Sequence, residues 1–162
     1  MKRTFQEIVD IYYWYSLRKC YVHYDMAEKN KNHHRVLGVV VVFVTAVVGT
    51  SVFTSLGQKH DLWIQVGTGL LSVAAVVLSA LQTFLGFSDL QVQHKTAAAR
   101  YGTCRRDLEL LTMKFPNATG VSGVSGTAEL EAIKMNLDDL DRESPTIPDR
   151  AWDAVVKKNP IE

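Results

Sequence analysis

Cysteine is scarce. Cys20 and Cys104 are the two in 162 residues, and they sit in different segments. They can build neither a disulfide framework nor a multi-ligand metal site, and on a cytosolic side both thiols are expected to be reduced. Net charge is equally small, +1 from 18 basic and 17 acidic side chains. That balance gives no electrostatic footprint for a nucleic acid, so no nucleic-acid partner is expected. Charge is missing altogether from Val36 to Leu56 and from Leu62 to Phe87, and the first stretch also lacks proline. A cleavable secretory signal is not expected either. The first apolar run begins only at Val36, is too long, and is followed at once by a second.

What fills those two stretches is apolar. As helices they would cover roughly 31 Å and roughly 39 Å, against a hydrocarbon core of about 30 Å. The second is long enough to span with tilt or to project beyond the bilayer. A buried core helix could be as apolar, but two of them would leave too little amphipathic chain to cover them. The expectation is therefore an all-α membrane protein: a two-helix transmembrane hairpin with flanking cytosolic amphipathic helices, the spans joined by an external turn at 57–61. Basic residues set the orientation. Lys2, Arg3, Arg18, Lys19, Lys29, Lys31 and Arg35 precede the first span, Lys95, Arg100, Arg105 and Arg106 follow the second, and the turn holds Lys59 alone. The positive-inside rule places both termini in the cytosol and the turn outside.

Before the first span, residues 4–29 of the 1–35 segment read as a helix. Phe5, Ile8, Tyr12, Tyr15, Val22 and Met26 recur at helical spacing, with Lys19 as the polar interruption. This face could lie among lipid headgroups or pack on another cytosolic helix. His33 and His34 point to different helix faces and have no third ligand nearby, which favours an interfacial role over a metal site. Within the first span, Thr45 and Gly49, like Thr50 and Thr54, lie four apart, as small residues do where helices approach closely. The second span carries a stripe of small and polar residues, Gln65, Thr68, Ser72, Ala75, Ser79 and Gln82. It fits a helix-packing seam or the lining of an aqueous path, and both readings turn Gln65 and Gln82 away from lipid. A single hairpin cannot enclose a pore, so the lining reading requires a homo-oligomer.

From Ser88 the second span is expected to run on as a cytosolic helix over 88–116, with a heptad-like seam of Ala97, Tyr101, Cys104, Leu108 and Leu111. Its partner could be the N-terminal helix or another copy of the chain. Pro116 ends the helix. Residues 117–127, with Gly120, Gly123 and Gly126, read as a linker, since no lysine follows at phosphate-loop spacing. In the 128–162 segment, Thr127 to Arg142 is expected to be a helix capped by Thr127 and striped by Leu130, Ile133, Leu137 and Leu140. Pro145 and Pro148 then form a turn, and Asp149 to Lys158 a last helix that buries Trp152, Val155 and Val156. The acidic residues Asp138, Asp139, Asp141 and Glu143 lack calcium-loop spacing. No nucleophile–base set appears, so neither an enzyme nor a cofactor is expected. The spans contain no ionisable side chain, which argues against a proton-coupled transporter.

The order of these parts resembles the SLATT family, the SMODS and SLOG-associating two-transmembrane effectors of bacterial conflict systems. The resemblance covers nearly the full chain. It rests on the aromatic N-terminal helix, the paired spans, and the stretch Ala97-Ala98-Ala99-Arg100-Tyr101-Gly102. The tail from Ser144-Pro145-Thr146-Ile147-Pro148 to Trp152 completes it. The resemblance implies an antiviral membrane effector that forms pores or disrupts the bilayer and ends in abortive infection. It implies a separately encoded nucleotidyltransferase or sensor protein as partner, one that makes or senses a nucleotide signal. The competing expectation is a non-catalytic membrane-anchored adaptor that recruits a cytosolic protein.

Overall fold

The computed structural model describes residues 3–55, 62–115 and 124–159, the side chains of 51–55 and 124–125 excepted. Among these residues the chain forms five α-helices and no strand: α1 (Phe5–Ser55), α2 (Leu62–Leu85), α3 (Phe87–Lys114), α4 (Val124–Glu143) and α5 (Asp149–Lys158). The expected turn at 57–61, the Pro116 break, Gly120 and Gly123 fall outside the described residues, as does the Thr54 side chain. The chain divides into two compact units, Met1–Glu28 with Leu90–Glu162, and Lys29–Asp89.

Helix α1 opens on a capping box. The Thr4 hydroxyl accepts from the Glu7 amide at 3.3 Å, and the Glu7 carboxylate accepts from the Thr4 amide at 2.9 Å. The sequence divides 4–56 into helix, flank and span; the structure joins them in one 51-residue helix. No proline occurs between Phe5 and Ser55, so nothing interrupts the backbone ladder.

The reverse happens at the second span. A single helix from Leu62 through Phe87 into the following segment is the expectation, but α2 stops at Leu85. Gly86 takes a left-handed φ of 55°, and α3 starts afresh at Phe87. Glycine is the usual residue in such a helix-ending conformation. A Cβ there would meet nothing within 4 Å, so the requirement is conformational rather than steric. A third boundary also differs. α4 begins at Val124, so residues 124–127 are helical and Thr127 lies within the first turn instead of capping it. Gly126 packs against the Phe115 ring, where an added Cβ would stand 3.4 Å from the nearest ring carbon. That contact draws the end of the expected linker into the helix.

The unit formed by Met1–Glu28 and Leu90–Glu162 has a conventional core. Ala97, Tyr101, Cys104, Leu108 and Leu111 of α3 are buried together with Val9 of α1 and Leu130, Ile133, Leu137 and Leu140 of α4. Phe5, Ile8, Tyr12, Tyr13 and Cys20 of α1 pack on this cluster. Within the chain, the α3 seam therefore meets the N-terminal helix and α4. A second cluster joins Val22 and Met26 of α1 to Ile147, Ala151, Trp152 and Val155. The tail thereby acquires its role. Pro148 ends the turn and accepts the first backbone hydrogen bonds of α5, from Ala151 at 2.9 Å and Trp152 at 3.2 Å. Arg18 grips the far end of α5 by donating to the Asn159 carbonyl at 2.9 Å and 3.3 Å.

The Lys29–Asp89 unit is different. It contains two helical segments long and apolar enough to cross a membrane, and in their most apolar windows none of the α1 residues and 6% of the α2 residues are buried. Val39, Val42, Phe43, Leu62, Trp63, Leu70, Val76 and Phe84 are all exposed. A core helix of a water-soluble protein is covered by its neighbours; these are not.

Candidate functional site

Two arrangements stand out, one in each unit. In the apolar unit the stripe of small and polar residues is only partly enclosed. Ala75 is buried; Thr68, Ser72 and Gln82 are half-buried; Gln65 and Ser79 are exposed. Leu71 and Leu78 are half-buried as well, so the shielded face of α2 runs through Thr68, Ser72, Ala75, Leu78 and Gln82. It leaves Ser79 at its edge. On α1 the less exposed positions of the apolar stretch are Leu37, Gly38, Val41, Val44, Val48 and Gly49, which fall along one side. Gly38 faces Gln82 across the pair, where an added Cβ would stand 3.5 Å from Nε2, an ordinary contact. Thr45, by contrast, is exposed, and Gly49 has no neighbour within 4 Å of a Cβ.

The polar groups of this face are largely satisfied locally. Thr68 Oγ1 donates to the Ile64 carbonyl and Ser72 Oγ to the Thr68 carbonyl, both at 2.9 Å. Back-bonding of this kind lets hydroxyls sit in apolar surroundings without another partner. The stripe ends at a polar pocket of about 390 Å³ bordered by Ser79, Gln82, His34, Gly86 and Asp89. The His33 ring lies tilted against Phe87, with centroids 5.4 Å apart and planes at 58°.

The second arrangement is a polar knot inside the other unit, centred on Asp141. Its carboxylate accepts from Tyr15 and Tyr101 hydroxyls at 2.6 Å each and pairs with Lys19 Nζ at 3.0 Å. Lys19 Nζ also lies 5.3 Å, 5.9 Å and 5.7 Å from the ring centroids of Tyr15, Tyr101 and Trp152, a cation held among aromatic faces. Burial pushes the Asp141 carboxyl up, but the hydrogen bonds from Tyr101, Tyr15 and Lys19 outweigh it and hold the group below the usual carboxylate value. Burial, then the bond to Asp141, pushes both phenols well above their ordinary range.

Behind this knot lie two buried histidines. His23 Nδ1 and His94 Nδ1 are 2.8 Å apart, and the His23 ring stacks on Tyr101 at a 13° interplanar angle. His23 is fully buried and His94 is 2% exposed. His23 Nε2 is buried without a hydrogen-bond partner. Beside them a cleft of about 350 Å³ is lined by Tyr15, Lys19, His23, Asp141, Ser144 and Trp152, among others.

Reading the sequence as an apolar stripe treats Lys19 as an interruption and passes over Ser16, His23 and His94. A stronger signal was present. Val9, Ser16 and His23 recur at intervals of seven, and His94 precedes Tyr101 and Leu108 by the same step. All six are buried, so the two helices meet on heptad registers that include polar members. Among the described residues, no group of three His, Cys, Asp or Glu side chains is placed to hold a metal ion. Comparison with protein-family models, curated proteins and solved structures finds no match to the chain.

Proposed function

We propose that the chain is a bacterial antiviral membrane effector. Its two apolar helices form a transmembrane hairpin in the inner membrane, with both termini in the cytosol. Several copies assemble so that the edge of the α2 stripe faces a shared path and the bilayer is permeabilised. A separate nucleotidyltransferase or sensor protein supplies the trigger through a nucleotide-type signal, and abortive infection follows. A trigger can act only by binding the open and closed assemblies differently.

The observation that carries the membrane part is the exposure of Val39, Phe43, Leu70, Val76 and Phe84 on helical stretches without charge. Exposed apolar surface on that scale needs lipid or protein against it. The defensive role rests on the resemblance of the residues from Ala97 to Gly102 and from Ser144 to Trp152. Ser79 supports the path: it belongs to the small-residue stripe yet lies outside the shielded face.

The test is dye release from vesicles of bacterial phospholipid carrying the purified full-length chain. Release by inserted protein, with or without the partner's signal, is expected of a pore-former. Stable insertion with no release, alongside capture of a cytosolic partner, would instead identify a membrane-anchored adaptor.

A further inference from the structure

We propose that His23 and His94 form an acid-sensitive latch between α1 and α3, closed while the two rings share one proton and opened when both rings become charged. The inference concerns the unit of Met1–Glu28 and Leu90–Glu162 alone and does not depend on the membrane reading.

At a separation of 2.8 Å one Nδ1 must donate and the other accept. A neutral pair meets that condition, and so does a singly protonated one. A second proton puts N–H groups on both facing atoms, donor against donor, and two positive charges in contact. The surroundings cannot compensate. On α1, Lys19 adds a further positive charge and Tyr15 donates its hydroxyl to Asp141. On α3, Tyr101 does the same and presents its ring face to His23. On α4, Asp141 favours a charged His23, but it already accepts from two phenols and pairs with Lys19. On α5, Asp149 only borders the neighbouring cleft. His23 Nε2 has no acceptor, so the proton added there would stay unbonded. In keeping with this geometry, burial, the other histidine and Lys19 depress His23 to about 4, and burial depresses His94 as well.

The direction follows by linkage. A histidine depressed in the folded unit takes up its proton more readily when that unit opens. The closed state keeps its full advantage above the ordinary value of about 6.5 and loses it as pH falls from there toward 4. Opening becomes up to about tenfold easier per pH unit for each proton that the closed pair excludes, the linkage limit.

The experiment follows ring resonances of the five histidines in the full-length, isotope-labelled chain in micelles, together with hydrogen exchange of the α3 backbone corrected for intrinsic rates. His23 and His94 should titrate below the ordinary value, with α3 protection falling over the same range. In the His23→Phe/His94→Gln variant that pH dependence should vanish. Ordinary titration of both rings, or α3 protection that stays flat while they titrate, would overturn the latch. Should the double variant not fold, the wild-type titration and exchange decide alone.

Discussion

Asp141 shows how far one side chain can be recruited. On α4 it looks like one of several surface carboxylates, beside Asp138, Asp139 and Glu143. In the fold it collects Tyr15 and Lys19 from α1 and Tyr101 from α3. Three side chains from two helices thus converge on one acceptor. Removing it leaves two phenol hydroxyls without their acceptor, at about 1–3 kcal/mol for each that stays unsatisfied. Asp141→Ala is accordingly expected to lower the denaturation midpoint of the unit of Met1–Glu28 and Leu90–Glu162, with a loss of at most several kcal/mol of stability. Glu143→Ala should do almost nothing, because its Arg100 partner is exposed. Thermal unfolding followed by near-ultraviolet dichroism of the tyrosines compares the two. Equal effects would mean that the knot is only a surface network. The residue pattern hid this role because a carboxylate's partners lie far away in sequence; the bond to Tyr15 spans 126 positions.

Helix ends were less legible than helix bodies. The heptad seam of α3 and the stripe of α4 can be read from spacing alone, since burial of one face imposes the period. The continuity of α1 and the break at Gly86 cannot. A glycine inside an apolar helix is tolerated by many spans, as Gly38 and Gly67 are here. Among the described residues, only at Gly86 does the chain turn left-handed. Gly86→Ala is therefore expected to cost roughly 1–2 kcal/mol through backbone strain, or else to let α2 run on into α3. Gly67→Ala, in an open and helical position, should be neutral or slightly stabilising. Spin labels at exposed positions on either side of residue 86 would register the change. An unchanged separation and unchanged stability in Gly86→Ala would show that the left-handed turn is not what sets the boundary.

For the molecule as a whole, the two units treat their apolar residues in opposite ways. One hides its apolar residues among α1, α3, α4 and α5; the other leaves them uncovered on α1 and α2. In the proposed assembly, Ala75 and Ser79 separate packing within a hairpin from contact between hairpins. Ala75→Leu places a large side chain on the buried face and should loosen the helix pair by about 1–3 kcal/mol. Ser79→Leu lies at an exposed position, so insertion and pairing should survive while vesicle leakage falls. Leakage undiminished in Ser79→Leu would remove the stripe from the path, and stable pairing in Ala75→Leu would place the helix contact elsewhere.

Absence of charge, apolar length and helical spacing were enough to specify an all-helical chain with two helices able to cross a bilayer, because those properties are local and need no knowledge of neighbours. The same residues could not say that Lys19 would be held among three aromatic rings, that His23 would face His94, or that Gly86 alone among the span glycines would take a positive φ. Those outcomes depend on which distant helix arrives at each face. They became visible only when α1, α3, α4 and α5 were brought together and each buried polar atom had to find, or fail to find, a partner.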